Sequence, residues 1–172
     1  MIVNATIAAW NAADETAALN AMLACCGAKR WADAMVALRP IASVFALSEE
    51  ADRVWGTMQE ADLLEAFACH PRIGERKVSA HAGEQSAAWS RGEQAQTNSA
   101  SENVLDEIAA GNQRYEELFG FIYIVCATGK SAEDMLAILK RRLKSTREIE
   151  LREAAEQQRQ IMQIRLGKWL IE

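Results

Sequence analysis

His70 is the side chain of this sequence best suited to proton transfer. It stands in the run 69–74, Cys-His-Pro-Arg-Ile-Gly. With Leu63 and Phe67 it forms a stripe at helical spacing (i, i+4, i+7), so the imidazole is expected to point inward. Two interpretations follow. His70 is either a buried histidine that hydrogen-bonds a carbonyl, or an acid/base that faces a cavity. An ordinary histidine pKa of about 6.5 allows proton transfer in both directions near neutral pH, as the second interpretation requires. Pro71 is expected to fix the exit of the chain and so the direction of the ring.

A second candidate group is the set Ser90, Glu93 and Gln94. On a helix these residues share one face because they are spaced i, i+3 and i+4. A hydroxyl, a carboxylate and an amide together can bind a small molecule rich in N–H and C=O groups. The alternative is a solvent-exposed helix start in which Glu93 caps Ser90.

Arg165 is the third candidate. It lies on the inward stripe predicted for the last helix, which comprises Leu151, Ala155, Gln158, Met162, Arg165 and Trp169. A guanidinium directed at a core needs an anionic or carbonyl partner, since unpaired burial of charge is costly. A structural ion pair and a clamp for a substrate carboxylate both satisfy that need, and Glu93 is a candidate partner in either case.

The other candidate groups are weaker. His81 falls in a polar loop and is expected to be exposed to solvent. Cys69 is not expected to form a nucleophilic pair with His70, because adjacent helical residues diverge by about 100°. The sequence contains no glycine-rich phosphate loop and no dinucleotide fingerprint.

Helical periodicity dominates the whole chain, and predicts an all-α, compact single-domain bundle of about seven or eight helices over residues 1–172. Ser48, Ser131-x-x-Asp134 and Ser145-x-x-Glu148 are the expected helix starts for three of them. The apolar, β-prone run 121–126 lacks a partner strand and is expected to be an extended buried connector. The helices are predicted over 14–26, 29–38, from near 48, 59–69, 86–97, 101–118, 131–144 and 145–170, with a loop at 71–85.

Composition narrows the class of protein. A net charge of −5 argues against nucleic acid as a partner. The basic cluster 140–144 ends a predicted helix, where cations complement the helix dipole, and is interpreted as structural.

No apolar run is long enough to span a bilayer. Residues 1–5 show no basic region ahead of an apolar one, so a signal peptide is not expected, and residues 169–172 do not match a peroxisomal address; a cytoplasmic protein is therefore expected. Its four cysteines are expected to be reduced and mostly buried, and two histidines leave little for a zinc site.

Taken in order along the chain, these motifs resemble those of the OHCU decarboxylase family, which acts on 2-oxo-4-hydroxy-4-carboxy-5-ureidoimidazoline (OHCU) in urate degradation. The resemblance covers nearly the whole length. It is carried by Cys25-Cys26 with 31–35 (Trp-Ala-Asp-Ala-Met) and Arg39-Pro40, by 70–74 (His-Pro-Arg-Ile-Gly), by Ser90-x-x-Glu93-Gln94, and by Phe119-Gly120-Phe121 with 124–126, followed by Arg165-Leu166.

The resemblance implies a compact all-α enzyme, a homodimer without metal or organic cofactor, that converts OHCU to (S)-allantoin in purine catabolism. The family's catalytic histidine falls on His70, with Glu93 as the second proton-transfer group and the assignment of acid and base left open. The implied substrate-binding residues are Pro71, Ser90, Glu93, Gln94, Ile122, Tyr123, Ile124, Val125, Cys126 and Arg165.

Two departures from the family's pattern affect the backbone. Ile122 stands where proline often follows Phe-Gly-Phe, and the segment between Gln94 and Phe119 is shortened, with Ala95-Gln96 in place of the frequent Ala-Gly.

Two other classes of function remain open: a hydrolase or racemase of related ureido compounds on the same fold, and an all-α interaction module without catalysis.

Overall fold

The structure, a computed structural model, describes residues 4–75 and 81–172, and the regular structure within them is helical. This confirms the all-α prediction. The described residues contain nine α-helices rather than seven or eight, and one 3-10 helix: α1 (Ala5–Ala12), α2 (Glu15–Cys25), α3 (Lys29–Ala37), α4 (Val44–Trp55), α5 (Glu60–Ala68), α6 (Glu84–Glu93), the 3-10 helix (Ala95–Ser99), α7 (Glu102–Phe119), α8 (Ala132–Arg142) and α9 (Arg147–Trp169).

None of the helices in the described ranges combines the length and apolarity that crossing a bilayer requires. The chain divides into two compact units, Met1–Ala66 with Arg159–Glu172, and Phe67–Gln158. Part of the expected loop 71–85, residues 76–80, lies outside the described residues.

In the first unit, polar side chains set the helix starts. The Asn4 side chain accepts from Thr6 N at 2.9 Å and so begins α1, a short helix that the periodicity did not predict. The Ser43 hydroxyl accepts from Ala46 N at 3.1 Å and begins α4. The predicted helix start at Ser48 is therefore wrong. Ser48 lies inside α4, and its hydroxyl donates to Gln163 Oε1 at 2.8 Å. An interhelical hydrogen bond satisfies that hydroxyl, so it does not cap.

Tryptophans anchor the core of the first unit. Trp31 is fully buried and donates its indole N–H to Ala51 O at 3.1 Å. Trp10 donates to Ala18 O at 3.0 Å and meets Trp169 edge-on, with ring centroids 6.0 Å apart. Buried indoles fill large volumes while their N–H groups remain paired.

In the second unit, α7 packs closely on α8. A Cβ added to Gly111 would lie 2.5 Å from Leu139 Cδ2, so the two helices approach closely here and any larger residue would displace the Leu139 side chain. The segment after α7 is extended and largely buried, with no strand pairing in the described residues, which confirms the prediction for 121–126. Aromatic rings accompany it: Phe67, Tyr115, Phe119, Phe121 and Tyr123.

The starts of α8 and α9 gave one correct and one wrong prediction. Ser131 and Asp134 form the expected capping box. Ser145 does not cap α9, because its N–H still bonds Arg142 O at 3.0 Å in the turn that closes α8. Thr146 takes the position instead, accepting from Ile149 N at 3.4 Å.

Candidate functional site

His70 lies two residues beyond the end of α5, in a turn closed by a 3.1 Å bond from its own N–H to Phe67 O. Its predicted place on the helix is therefore wrong, because a residue before proline is pushed out of the helical region. The expected inward direction of its side chain is supported by its contact: His70 Nε2 donates to Gln158 Oε1 across 2.7 Å.

Gln158 belongs to α9 and is fully buried. Since its carbonyl oxygen accepts from His70, a neutral imidazole carries its hydrogen on Nε2. The amide nitrogen of Gln158, by contrast, has no hydrogen-bond acceptor in the described ranges. The sequence placed Gln158 on the inward stripe of the last helix but assigned it no role.

The turn that follows His70 is held by two side-chain amides. Gln94 Oε1 accepts from Gly74 N at 3.0 Å, and Asn112 Nδ2 donates to Ile73 O at 2.9 Å. Gly74 has a φ of +83°, which favours glycine. Asn112 Oδ1 is the second buried side-chain atom without a partner in the described residues. Two motifs that are 20 residues apart, His-Pro and Ser-x-x-Glu-Gln, thus meet through Gln94.

Ser90 and Glu93 lie near the end of α6, which stops at Glu93 instead of continuing to residue 97. Gln94 is the residue that caps it, and its N–H bonds Ser90 O at 3.1 Å. Ser90 is only 3% exposed, while Glu93 and Gln94 are half-buried. The alternative of a solvent-exposed helix start is therefore wrong for Ser90.

The backbone of the segment 122–126 is fixed from two directions. Arg142 Nη1 donates to Ile124 O at 2.5 Å, and Gln157 Oε1 accepts from Cys126 N at 2.8 Å. Of the five candidate residues in this segment, Tyr123, Ile124, Val125 and Cys126 are buried and Ile122 is half-buried.

Arg142 is paired in the interior of the second unit. Its Nε donates to Glu150 at 2.6 Å and its Nη2 to the Tyr115 hydroxyl at 3.0 Å, and that hydroxyl donates to Glu150 at 2.6 Å. Burial acts to lower the pKa of Arg142, but Tyr115 and Glu150 outweigh it, and the pKa is raised above its ordinary value. Burial raises the pKa of Tyr115 in turn. The basic cluster is structural at this position, as predicted.

Arg165 belongs to the first unit and is 2% exposed, which confirms its predicted inward direction. Burial raises the pKa of the nearby Cys25 thiol, and the charge of Arg165 opposes that rise. The expected pairing of Arg165 with Glu93 stays a prediction.

The cysteines and His81 agree with expectation. Within the described residues none of the four cysteines forms a disulfide, and three of them are buried: Cys25, Cys26 and Cys126. Cys69 is half-buried and its thiol donates to His81 O at 3.6 Å. His81 is exposed.

The fold and these contacts define an all-α protein in which a histidine bonded to a buried amide lies at the start of a glycine-bearing turn. Comparison with known proteins gives the particular class. The chain belongs to the OHCU decarboxylase family, whose sequence pattern matches residues 11–167.

Relatives of assigned function include the uric acid degradation bifunctional protein TTL of Arabidopsis thaliana. The chain is 35% identical to it over 156 residues, which are 84% of this chain and 44% of that protein. A 2-oxo-4-hydroxy-4-carboxy-5-ureidoimidazoline decarboxylase of Haloferax volcanii is 25% identical over 130 residues, 76% of this chain and 74% of that one. The chain thus spans less than half of the Arabidopsis relative and about three quarters of the Haloferax one.

Two solved structures share the fold. The crystal structure of OHCU decarboxylase in the presence of (S)-allantoin has a TM-score of 0.75 and 30% identity, covering 87% of this chain and 96% of that one. The crystal structure of (S)-allantoin synthase has a TM-score of 0.71 at 18% identity, covering 95% of this chain and 53% of that one, and shows the fold alone.

Proposed function

We propose that this protein decarboxylates OHCU to (S)-allantoin, with His70 as the proton-transfer group. Membership of the family supports the reaction. So does the likeness to a decarboxylase solved in the presence of (S)-allantoin, which this chain matches over 96% of that chain's length. The single observation that carries the assignment of His70 is its 2.7 Å bond to a fully buried glutamine, because this bond fixes the direction of the ring.

The roles follow from the chemistry of the substrate. Breaking the bond to the carboxylate releases CO2 and leaves an electron pair on the ring carbon, which must be delocalised and then protonated on one face. His70 takes a proton from the substrate hydroxyl or delivers one to that carbon. Glu93 is the second acid/base. A site shielded from water favours this step because the departing carboxylate loses charge.

Binding is assigned to groups that match a ureido compound. Ser90, Glu93 and Gln94 pair with N–H and C=O groups of the substrate. Pro71 and the backbone of 122–126 complete the contacts in the second unit. Arg165 keeps the role that the resemblance implies, which is to orient the carboxylate or stabilise oxyanion charge.

The finer expectations belong to the same proposal. We infer a compact single-domain bundle over residues 1–172, which acts in the cytoplasm as a homodimer and uses no metal or organic cofactor. Gel filtration with light scattering tests the dimer, and turnover in the presence of a chelator tests metal independence.

A coupled assay tests the reaction. Urate is converted to OHCU upstream, and the optical activity of the allantoin is compared with and without this protein. We expect rapid formation of (S)-allantoin with release of CO2. Racemisation of allantoin without CO2 would instead indicate a racemase, and a hydrolysed product a hydrolase.

The two histidines provide a matched pair of variants. His70→Ala is expected to lower turnover of OHCU by at least about 100-fold, the range typical of a lost acid/base. His81→Ala removes an exposed ring and keeps the carbonyl that Cys69 contacts, so turnover should be unchanged. A folded His70→Ala protein with near-normal turnover would refute the assignment.

A further inference from the structure

Gln158 combines two properties in one buried amide. Its carbonyl oxygen lies 2.7 Å from His70 Nε2, and its nitrogen has no acceptor in the part of the chain that the structure describes. The two polar atoms share one carbon, so the unpaired N–H lies within a few ångströms of the imidazole. A fully buried donor without an acceptor is destabilising, and a bound ligand that accepts its hydrogen bond removes that penalty.

The bond to Gln158 also selects the state of His70. A glutamine carbonyl oxygen can only accept, so the neutral imidazole must present its hydrogen at Nε2 and its lone pair at Nδ1. The choice of tautomer determines which ring nitrogen can take a proton from a substrate.

We propose that Gln158 positions His70 through Oε1, fixing the Nε2–H tautomer with Nδ1 as the proton-accepting atom, and that its Nε2–H binds a carbonyl oxygen of the substrate. The inference rests on the proposed function for the identity of that substrate, a carbonyl-rich ureido-imidazoline. The first role of Gln158, fixing the tautomer of His70, does not depend on the identity of the substrate.

The adjacent residue supports a site at this level of α9. Gln157 Oε1 accepts from Cys126 N at 2.8 Å, and its Nε2 donates to Glu153 at 3.0 Å one turn earlier. Both amide atoms of Gln157 are thus used in the structure. The unused nitrogen of Gln158 stands out against this fully paired neighbour.

Two substitutions separate the two roles. Gln158→Leu removes both the acceptor and the donor. Gln158→Glu keeps an acceptor for His70 and removes the donor. The same changes at Gln113 serve as controls, because this residue lies on the exposed side of α7 and its side-chain amide donates to Glu117 at 3.1 Å.

The first measurement is nitrogen NMR of the imidazoles, at a pH where His70 is neutral. Only two histidines are present, and His81→Ala leaves His70 alone in the spectrum. We expect the Nε2–H tautomer in the unaltered protein and in Gln158→Glu, and a mixture in Gln158→Leu. An Nδ1–H tautomer in the unaltered protein, or an unchanged spectrum in Gln158→Leu, would overturn the positioning role.

The second measurement is the Kd of (S)-allantoin by calorimetry. One lost neutral hydrogen bond corresponds to about a three- to tenfold increase in Kd, expected in both Gln158 variants and in neither Gln113 variant. Normal binding by Gln158→Glu, or no binding by the unaltered protein, would refute the donor role. If Gln158→Leu does not fold, Gln158→Met replaces it and Gln158→Glu still tests the donor.

Turnover keeps this inference distinct from the proposed function. If the unaltered protein fails to convert OHCU, the reaction is wrong, yet the NMR spectrum still decides whether Gln158 sets the tautomer. If the unaltered protein is active, Gln158→Leu should lower kcat as well as raise KM. An effect on KM alone would contradict positioning of the proton-transfer group.

Discussion

Replacing Glu150 by glutamine removes the negative charge opposite a buried guanidinium. Arg142 Nε lies 2.6 Å from Glu150 Oε2, and the two side chains are 3% and 2% exposed. Loss of the partner of a buried ion pair costs about 3–5 kcal/mol, because the remaining charge cannot regain its hydration. The amide oxygen of glutamine still accepts one hydrogen bond, so Glu150→Gln is expected to lower the free energy of unfolding by about 3 kcal/mol, the lower end of that range.

The free energy of unfolding, measured by urea denaturation, tests this value. The control is Glu107→Gln, since Glu107 pairs with Lys140 at the surface, where the side chains are 52% and 58% exposed. An exposed pair contributes at most about 1 kcal/mol. Equal small losses in both variants would refute the reasoning that burial makes the Arg142 pair critical.

Hydrogen exchange adds a second readout for the same variant. Arg142 also donates to Ile124 O, so weakening its position should speed exchange at the amides of 122–126. Unchanged exchange there would show that the segment does not depend on Arg142.

Two further outcomes can be checked directly. Thermal unfolding compares two glycine variants. Gly111→Ala should destabilise the protein by about 1–3 kcal/mol, because its Cβ would meet Leu139 Cδ2 at 2.5 Å. Gly167→Ala should instead stabilise α9 by up to about 1 kcal/mol, because no atom of the described residues beyond its own helix backbone lies within 4 Å of the added Cβ. Burial raises the pKa of the Cys25 thiol, so this thiol should resist iodoacetamide while the half-buried Cys69 is alkylated first. Mass spectrometry of the native protein after brief labelling measures the order, and early labelling of Cys25 would contradict its burial.

Periodicity and helix-stop residues predicted the longer helices to within a few residues, and failed where a local choice depended on tertiary contacts. Ser43 and Ser48 are both reasonable caps by residue type. Only the contact of Ser48 with Gln163, 115 residues later, decides between them. The helix α1 has just eight residues, so it completes too few turns for a periodic pattern to identify it.

The candidate site shows the same division. The inward directions expected of His70 and Arg165 agree with their contact and their burial. The contribution of Gln158 was not predictable, because a single glutamine on an apolar stripe has no assigned chemistry until its partner, 88 residues away, is known. Ser90 was underestimated for a related reason: its residue type suggests solvent, and only packing buries it.

The consecutive glutamines of α9 also restrict which changes in chain length the protein can tolerate. Gln157 holds Cys126 and Gln158 holds His70, so both contacts depend on the register of one helix. Deleting a single residue between Arg147 and Gln157 would rotate both amides by about 100° and shift them by about 1.5 Å along the axis. Length variation among natural homologues should therefore be absent from this half of α9 and accumulate in exposed turns such as Thr128–Gly129.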